Sequence, residues 1–151
     1  MKTLLALVCL FAAGVSPLRA QTAGDFGAGV VLGSQTGATA KLWLDGGRAL
    51  DANLGFNSDL TLSADYLWHS WRVFPQPAEG KVPAYIGLGA QLGGSYHHHD
   101  NSALGLRAVA GVAYWLPRNP LEIFLELVPV LYLSDNHGSD VNANIGLRYY
   151  F

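Results

Sequence analysis

The residues best suited to chemistry in this sequence are a run of histidines and their acidic neighbour. His97, His98 and His99 precede Asp100, and His137 lies in a later polar segment. Imidazole and carboxylate groups together can bind zinc, nickel or copper. Adjacent residues in a strand or loop point in different directions, however, and no helical spacing brings these histidines onto one face. We therefore interpret them as weak metal-ligand candidates in polar loops and predict no metal or other cofactor.

Seven ionisable residues form the second group of residues that could do chemistry. All of them fall in segments where apolar and polar side chains alternate. They are Lys41, Asp51, Asp65, Arg107, Glu122, Glu126 and Arg148. Each of them occupies a position that alternation assigns to the polar face, and none occupies a position on the apolar face. Three cations against four anions are nearly balanced, as an enclosed interior requires, because an unpaired buried charge is costly. We predict an internal ion-pair cluster that stabilises the fold, with no catalytic residue among its members.

The order of the segments suggests partners within this cluster. Glu122, Glu126, Arg107 and Arg148 lie in three consecutive segments, so we expect the two glutamates to pair with the two arginines. We expect Lys41 and Asp65 to interact across the interior.

The segments that position these residues have a period of two, which is typical of strands. Turn-forming clusters separate them, and a stretch with three prolines at 71–83 is predicted to be a longer connection. This pattern predicts eight strands and no helix. They are expected at 26–33, 38–44, 50–56, 60–69, 84–92, 104–114, 121–132 and 141–151.

Composition narrows the class of protein. The 151 residues are 50% hydrophobic and 13% charged, where about 25% charged is usual. With 9 basic and 11 acidic residues, the chain offers little to a phosphate backbone, and we predict no nucleic-acid partner. After residue 21 no run reaches the ~20 apolar residues of a membrane-spanning helix. Any membrane span must therefore be built from strands.

The first twenty residues are typical of an export signal. Lys2 supplies a positive start, residues 4–13 form a short apolar core, and Ala20 ends a small-residue cleavage site. The one cysteine, Cys9, lies in this segment, so the remainder offers neither a disulfide nor thiol chemistry. We predict a signal peptide at 1–20 and a single barrel domain at 21–151.

The polar face of the strands is rich in glycine, and lysine, glutamate and threonine are sparse there. The glycines are Gly27, Gly29, Gly55, Gly87, Gly89, Gly105, Gly111 and Gly146. Small residues suit the crowded lumen of an eight-stranded barrel. We therefore predict an all-β fold: an eight-stranded antiparallel up-and-down transmembrane β-barrel with a polar, packed lumen. A soluble lipocalin-like binding barrel, with its apolar face turned inward, is the alternative.

Aromatic residues on the apolar face gather at one end of the predicted barrel, the end that carries the termini. They are Phe26, Trp68, Tyr114, Tyr149 and Phe151. Aromatic girdles of this kind lie at membrane interfaces. The pattern favours lipid outside the barrel.

The last strand carries the most specific motif. Asn144, Gly146, Tyr149 and Phe151 follow an order that resembles the C-terminal assembly signal of bacterial outer-membrane barrels. The resemblance implies that the barrel assembly machinery recognises this strand.

Further motifs resemble the small outer-membrane β-barrels of the OmpA/OmpX type, and more closely a family of such barrels that carries no established activity. The motifs are Phe26-Gly27-x-Gly29, 33–37, Lys41-x-Trp43, 65–69, Gly87-x-Gly89, 124–129 and 146–151. They span nearly the whole chain after residue 20. The resemblance implies an outer-membrane location and the barrel architecture. We further expect outer-membrane lipid around a monomeric barrel.

We expect a structural or surface-interaction role with no open pore. Three alternatives remain open: a lipid A-modifying enzyme, a narrow pore and the lipocalin-like barrel. The enzyme would be a deacylase-like hydrolase using Ser102 with one of His97, His98 or His99, but no carboxylate follows at a suitable place.

Overall fold

The computed structural model describes residues 22–57, 59–93, 104–133 and 138–151 of the chain. Eight strands account for most of these residues. They are β1 (Phe26–Gly33), β2 (Gly37–Trp43), β3 (Arg48–Gly55), β4 (Thr61–Ser70), β5 (Ala84–Gly93), β6 (Leu104–Trp115), β7 (Leu121–Tyr132) and β8 (Ser139–Tyr150). Within the described ranges no helix has both the length and the apolar character needed to cross a membrane.

Each strand pairs antiparallel with the next along the chain, and β8 pairs with β1 to close the sheet. The closing seam places Gly27 opposite Tyr150 and Gly33 opposite Asn144. The eight-stranded up-and-down barrel expected from the period-two pattern is thereby confirmed. We call the end that carries Phe26 and Tyr150 the terminus end and the opposite end the far end.

The two faces of the barrel wall have opposite chemistry. Outward side chains are apolar and exposed, as shown by Val30, Leu62 and Ile86, which are 54%, 51% and 64% exposed. Inward side chains include the fully enclosed Lys41 and Arg148. The inward parity is the one that the sequence pattern assigned to the polar face, because period two sends alternate residues to opposite sides.

The observed strand ends differ from the expected ones by up to two residues. At the turn after β2, Leu44 N donates to Arg48 O, which brings Arg48 into β3. The Asp45 carboxylate accepts from Gly47 N and Arg48 N, both at 2.8 Å, and so fixes the turn. A hydrogen bond from the Arg48 side chain is the main reason that the pKa of exposed Asp45 lies below its usual range.

The connection 71–83 is ordered by one glutamine. Gln76 Nε2 donates to Trp71 O at 3.0 Å and to Val82 O at 2.9 Å, while Gln76 Oε1 accepts from Val82 N at 2.9 Å. Lys81 also forms an isolated β-bridge with Trp115. This proline-rich segment is a longer connection, as expected, and it packs against the terminus end.

Candidate functional site in the barrel lumen

The lumen holds all seven ionisable residues singled out in the sequence. Each is at most 4% exposed: Lys41, Asp51, Asp65, Arg107, Glu122, Glu126 and Arg148. In an eight-stranded barrel the interior is just wide enough for side chains to fill. Two groups form around two arginines, which we call the Arg148 cluster and the Arg107 cluster.

Arg148, in β8, is the centre of the first cluster. Its Nη1 donates to Glu122 Oε1 at 2.8 Å, and its Nη2 donates to Asp51 Oδ2 at 2.5 Å. Nε and Nη2 also donate to Thr39 Oγ1, at 3.0 Å and 2.8 Å. The guanidinium lies 3.9 Å from the centre of the Phe124 ring. One side chain therefore links β8 with β2, β3 and β7 through charge-assisted hydrogen bonds.

Gly29 lies beside Arg148 at the seam where the barrel closes. On the sheet, Gly29 of β1 stands between Arg148 of β8 and Thr39 of β2. A Cβ at Gly29 would collide with the backbone of Leu147 and Arg148. The missing side chain therefore lets the backbones of β1 and β8 lie close together here, and Arg148 Nε and Nη2 reach Thr39 on the other side of β1.

Lys41 belongs to the same cluster and lies nearer the terminus end. Its Nζ is 3.4 Å from both carboxylate oxygens of Glu122 and donates to His69 Nε2 at 2.9 Å. Because an ammonium has only donors, His69 accepts through Nε2 and is neutral. The ammonium also lies 4.8 Å from the Trp43 ring centre and 5.0 Å from that of Tyr85. Aromatic faces and one carboxylate thus replace the water that the ammonium has lost.

Arg107, in β6, organises the second cluster, which lies toward the far end. Its Nε is 2.9 Å from Asp65 Oδ1, without the alignment of a hydrogen bond. Its Nη1 donates to Gln35 Oε1 at 3.3 Å and to Gln91 Oε1 at 3.5 Å. Gly89 of β5 stands between Asp65 and Arg107 in the register. A Cβ there would collide with the Asp65 carboxylate and the Ala64 carbonyl, so this glycine is what allows the pair to meet.

Three of the acidic residues accept hydrogen bonds from neutral donors. Tyr85 OH donates to Glu126 Oε1 at 2.7 Å, and Tyr150 OH donates to Glu122 Oε2 at 3.0 Å. Asn53 Nδ2 donates to Asp51 Oδ1 at 3.3 Å. These contacts give both glutamates structural partners.

The partners expected from strand order were partly wrong. Arg148 does pair with Glu122, but Arg107 pairs with Asp65 and Lys41 pairs with Glu122. The reason is register. Arg107 stands opposite Val130, eight residues along β7 from Glu122, which is about 26 Å. Neighbouring strands do not bring two residues together when those residues lie at different heights.

An aromatic group at the terminus end was missed by the analysis of the sequence. Trp43 lies 6.2 Å from both Trp71 and Trp115, and Trp115 lies 4.4 Å from Tyr150, between ring centres. Three of these residues, Trp43, Trp115 and Tyr150, have inward parity near strand ends. That shared position was the signal that could have revealed the group. The rings pack across the mouth of the barrel and cover the Arg148 cluster.

The outward aromatics lie where the sequence placed them. Phe26 and Phe151 stack at 6.4 Å, and Tyr149 meets Phe151 edge-on at 5.3 Å. Trp68 and Tyr114 are 43% and 38% exposed on the same end of their strands. Together they surround part of the terminus end.

The C-terminal motif divides between the two faces. Asn144 is buried and accepts from Gln35 N at 2.9 Å, and Gly146 is covered by the Phe124 ring. Phe151 is 58% exposed, and its N–H donates to Phe26 O at 3.0 Å. Asn144 and Gly146 therefore have packing roles in the finished barrel, whereas the Phe151 side chain is turned outward.

The histidine cluster His97, His98, His99 and the separate His137 lie outside the described residues, as does Ser102. Among the residues that are described, no group of three or more histidine, cysteine or acidic side chains is placed to hold a metal ion. The segment 1–20 also lies outside the described residues.

Comparison with known proteins supports the fold. No protein-family model matches the chain, and no curated protein matches its sequence. The barrel is similar to the crystal structure of the N-terminal β-barrel domain of OprF from Pseudomonas aeruginosa, with a TM-score of 0.60 and 16% sequence identity over 87% of this chain and 100% of that domain. The chain therefore has the fold of the small OmpA-like barrels.

Proposed function

We propose that this chain is an integral protein of the bacterial outer membrane, whose barrel crosses the membrane with its terminus end on the periplasmic side. Its role is structural or one of surface interaction, and its lumen is closed. Outer-membrane lipid surrounds the wall, and the protein works as a monomer without a cofactor.

The observation that carries this proposal is the inverted distribution of polarity. Leu88, Leu125 and Val141 are 62%, 52% and 66% exposed on the outer wall, while every strand charge except Arg48 at the terminus rim and Asp140 at the far rim is enclosed. A soluble monomer rarely exposes a continuous apolar surface of more than a few hundred Å². The same arrangement argues against the lipocalin-like alternative, which needs an apolar interior.

The packing of the lumen supports a barrel without an open pore. Arg148 joins β2, β3, β7 and β8 across the interior, and the Trp43 and Trp115 rings pack at the terminus end. Eight strands leave little room beyond such side chains. We expect bilayer recordings of the purified barrel to show small or no conductance. Stable large openings would contradict the closed lumen.

The contacts of the glutamates do not favour a hydrolase. Glu122 is bound to Arg148, Lys41 and Tyr150, and Glu126 accepts from Tyr85. A lipid A deacylation assay on the purified protein tests the enzyme alternative directly. Product formation at a rate that depends on Ser102 would overturn the structural role.

Membrane insertion can be tested with one outward charge. In a membrane, Leu125→Arg places a charge among acyl chains and costs about 2–4 kcal/mol, whereas in water an exposed Leu125→Arg is nearly neutral. We expect the wild-type protein in the outer-membrane fraction with heat-modifiable migration on a gel, and a large loss of the folded band for Leu125→Arg. The matched control is Arg118→Leu, which changes charge in the turn at the terminus end. Equal folding of all three proteins in a soluble fraction would refute membrane insertion.

Assembly by the barrel machinery is a separate part of the proposal. Phe151 is outward, packs against the rings of Phe26 and Tyr149, and donates its backbone N–H to Phe26 O. Deletion of Phe151 should therefore lower membrane levels in cells more than it lowers the stability of barrel refolded in micelles. Normal membrane levels of that variant would contradict a C-terminal assembly signal.

A further inference from the structure

The wall of the barrel is interrupted at one proline. The β6–β7 ladder pairs Arg107 with Val130 and resumes with Ala110 opposite Leu127, and no pairing joins Ala108 to Pro129 between them. The register is the same on both sides of this gap, so it is not a bulge. The interruption is local and lies in the half of the barrel toward the far end.

Pro129 removes a hydrogen bond that the ladder would otherwise contain. The bonds from Leu133 N to Leu104 O and from Leu116 N to Leu121 O show that odd-numbered residues of β7 bond with β6. Pro129 has this parity but no N–H. The Ala108 carbonyl is thus deprived of its ladder donor, and in a hydrocarbon environment an unsatisfied carbonyl costs several kcal/mol.

A groove of about 710 Å³ opens on the outer wall at this gap. Its outward lining is apolar, comes from four neighbouring strands and consists of Leu88, Leu106, Ala108, Pro129, Leu131 and Val141, while the inward residues Arg107 and Val130 also border it. The side chains of Ala108 and Pro129 are short, and longer side chains stand on both sides of them. The volume lies in the range of about 300–1,000 Å³ that is usual for ligand sites.

We propose that this groove binds one acyl chain of a membrane lipid, and that a hydroxyl or amide N–H near the head of that chain donates to the Ala108 carbonyl. The inference rests on the proposed membrane location. The apolar lining favours an acyl chain. The Ala108 carbonyl, which lacks an N–H donor from β7, favours a lipid that carries a hydroxyl or amide N–H. Ser139 and Asp140, which also line the groove, lie at its far-end rim beside the lipid head.

The depth of Ala108 agrees with this occupant. Ala108 is four residues into β6, which begins at Leu104, so it lies about 13 Å along the strand. With a strand tilt of about 40°, this corresponds to a depth of about 10 Å below the start of β6. With the start of β6 at the surface of the headgroup region, which is about 5–8 Å thick, Ala108 lies beside the first carbons of an acyl chain, to which a 3-hydroxyl group is attached.

The test uses two synthetic phosphatidylethanolamines that differ in one group, one with 3-hydroxymyristoyl chains and one with myristoyl chains. Barrel refolded in detergent micelles, and shown to be folded by heat-modifiable migration, is titrated with each lipid, and bound lipid is counted by native mass spectrometry. We expect one retained lipid per barrel and about a fivefold preference for the hydroxylated form, the size of one net hydrogen bond.

Two variants test separately the binding of the acyl chain and the hydrogen bond from the lipid donor. Ala108→Trp should fill the groove and abolish the retained lipid, whereas Ala64→Trp, on an outward position where the ladders are continuous, should leave it. Pro129→Val restores the N–H and should remove the fivefold preference while the barrel still folds. This variant decides the question if Ala108→Trp does not fold.

Two results would overturn the inference: equal retention of both lipids by the wild-type barrel, or equal loss of lipid in Ala64→Trp and Ala108→Trp. Either result could occur in a barrel that inserts normally into membranes. Failure of the membrane proposal would appear earlier, in the fractionation experiment.

Discussion

Two arginines are enclosed in the same lumen, but their surroundings differ. Every guanidinium nitrogen of Arg148 donates to an oxygen of Thr39, Glu122 or Asp51. Arg107 meets one carboxylate and two amide oxygens, and its Nη2 finds no hydrogen-bond partner among the described residues. Burial alone therefore does not fix what a charge contributes to stability. The number and alignment of its acceptors do.

The largest expected effect comes from removing each arginine in turn. Arg148→Met leaves Glu122 and Asp51 enclosed without this cation, and breaking a buried pair costs about 3–5 kcal/mol. We expect Arg148→Met at the upper end of that range and Arg107→Met at the lower end. Urea unfolding of barrel refolded in micelles, followed by tryptophan fluorescence, measures both. Equal losses would show that the two clusters are equivalent.

The next largest loss of stability is expected when Gly29 or Gly89, which lie beside the two arginines in the register, is replaced. Gly29→Val puts a side chain against the backbone of Leu147 and Arg148, and Gly89→Val puts one against the Asp65 carboxylate and the Ala64 carbonyl. Overpacking typically costs about 1–3 kcal/mol. Ala90→Val is the control, because Ala90 is exposed on the outer wall beside Gly89. It should change the unfolding free energy by about 0.5 kcal/mol or less. A neutral Gly89→Val would mean that the Asp65–Arg107 pair can form without this glycine.

A smaller effect is expected for the contribution of Lys41 to the Arg148 cluster. The ion pair Lys41–Glu122 spans 3.4 Å, while Glu122 keeps Arg148 in the absence of Lys41. A double-mutant cycle of Lys41→Met and Glu122→Gln should give a coupling of about 1–2 kcal/mol. The same cycle on Arg148 and Glu122 should give a larger value. Reversal of this order would place Lys41 at the centre of the cluster.

The smallest effect is expected at the exposed ion pair in the β2–β3 turn. The side chains of Arg48 and Asp45 are 56% and 39% exposed, so solvent screens their attraction. The lowered pKa of Asp45 gives a contribution that is present above the usual carboxylate range and is lost as pH falls through the folded value. We expect no measurable difference between Asp45→Asn and wild type in urea unfolding at pH 7. A clear loss would show that the turn limits barrel stability.

The fold could be predicted from the sequence because period two sorts every strand residue to one of two faces. Glu122 and Glu126 alternate with leucine and isoleucine along β7, and this pattern alone places them inside the barrel. The pairs inside could not be predicted in the same way. They depend on the strand register, which sets Arg107 opposite Val130, and on contacts across the lumen such as Lys41 with Glu122.

The aromatic group shows a second limit of the sequence. Trp43 and Tyr150 have the parity of the polar face, but the sequence does not show which glycine faces each ring. In the structure Gly27 supplies the space, since a Cβ there would meet the Tyr150 ring. The pairing of a large residue with a glycine on the neighbouring strand becomes visible only when the register is known.

The β1–β8 seam has a consequence for how the chain is made. It joins Gly27 to Tyr150 and Gly33 to Asn144, positions more than a hundred residues apart, and such non-local pairing is slow to form. Until β8 arrives, the growing sheet has two unpaired margins that invite association with other chains. We therefore expect the β1–β8 seam to form last, so that the two margins of the sheet stay unpaired until the cylinder closes.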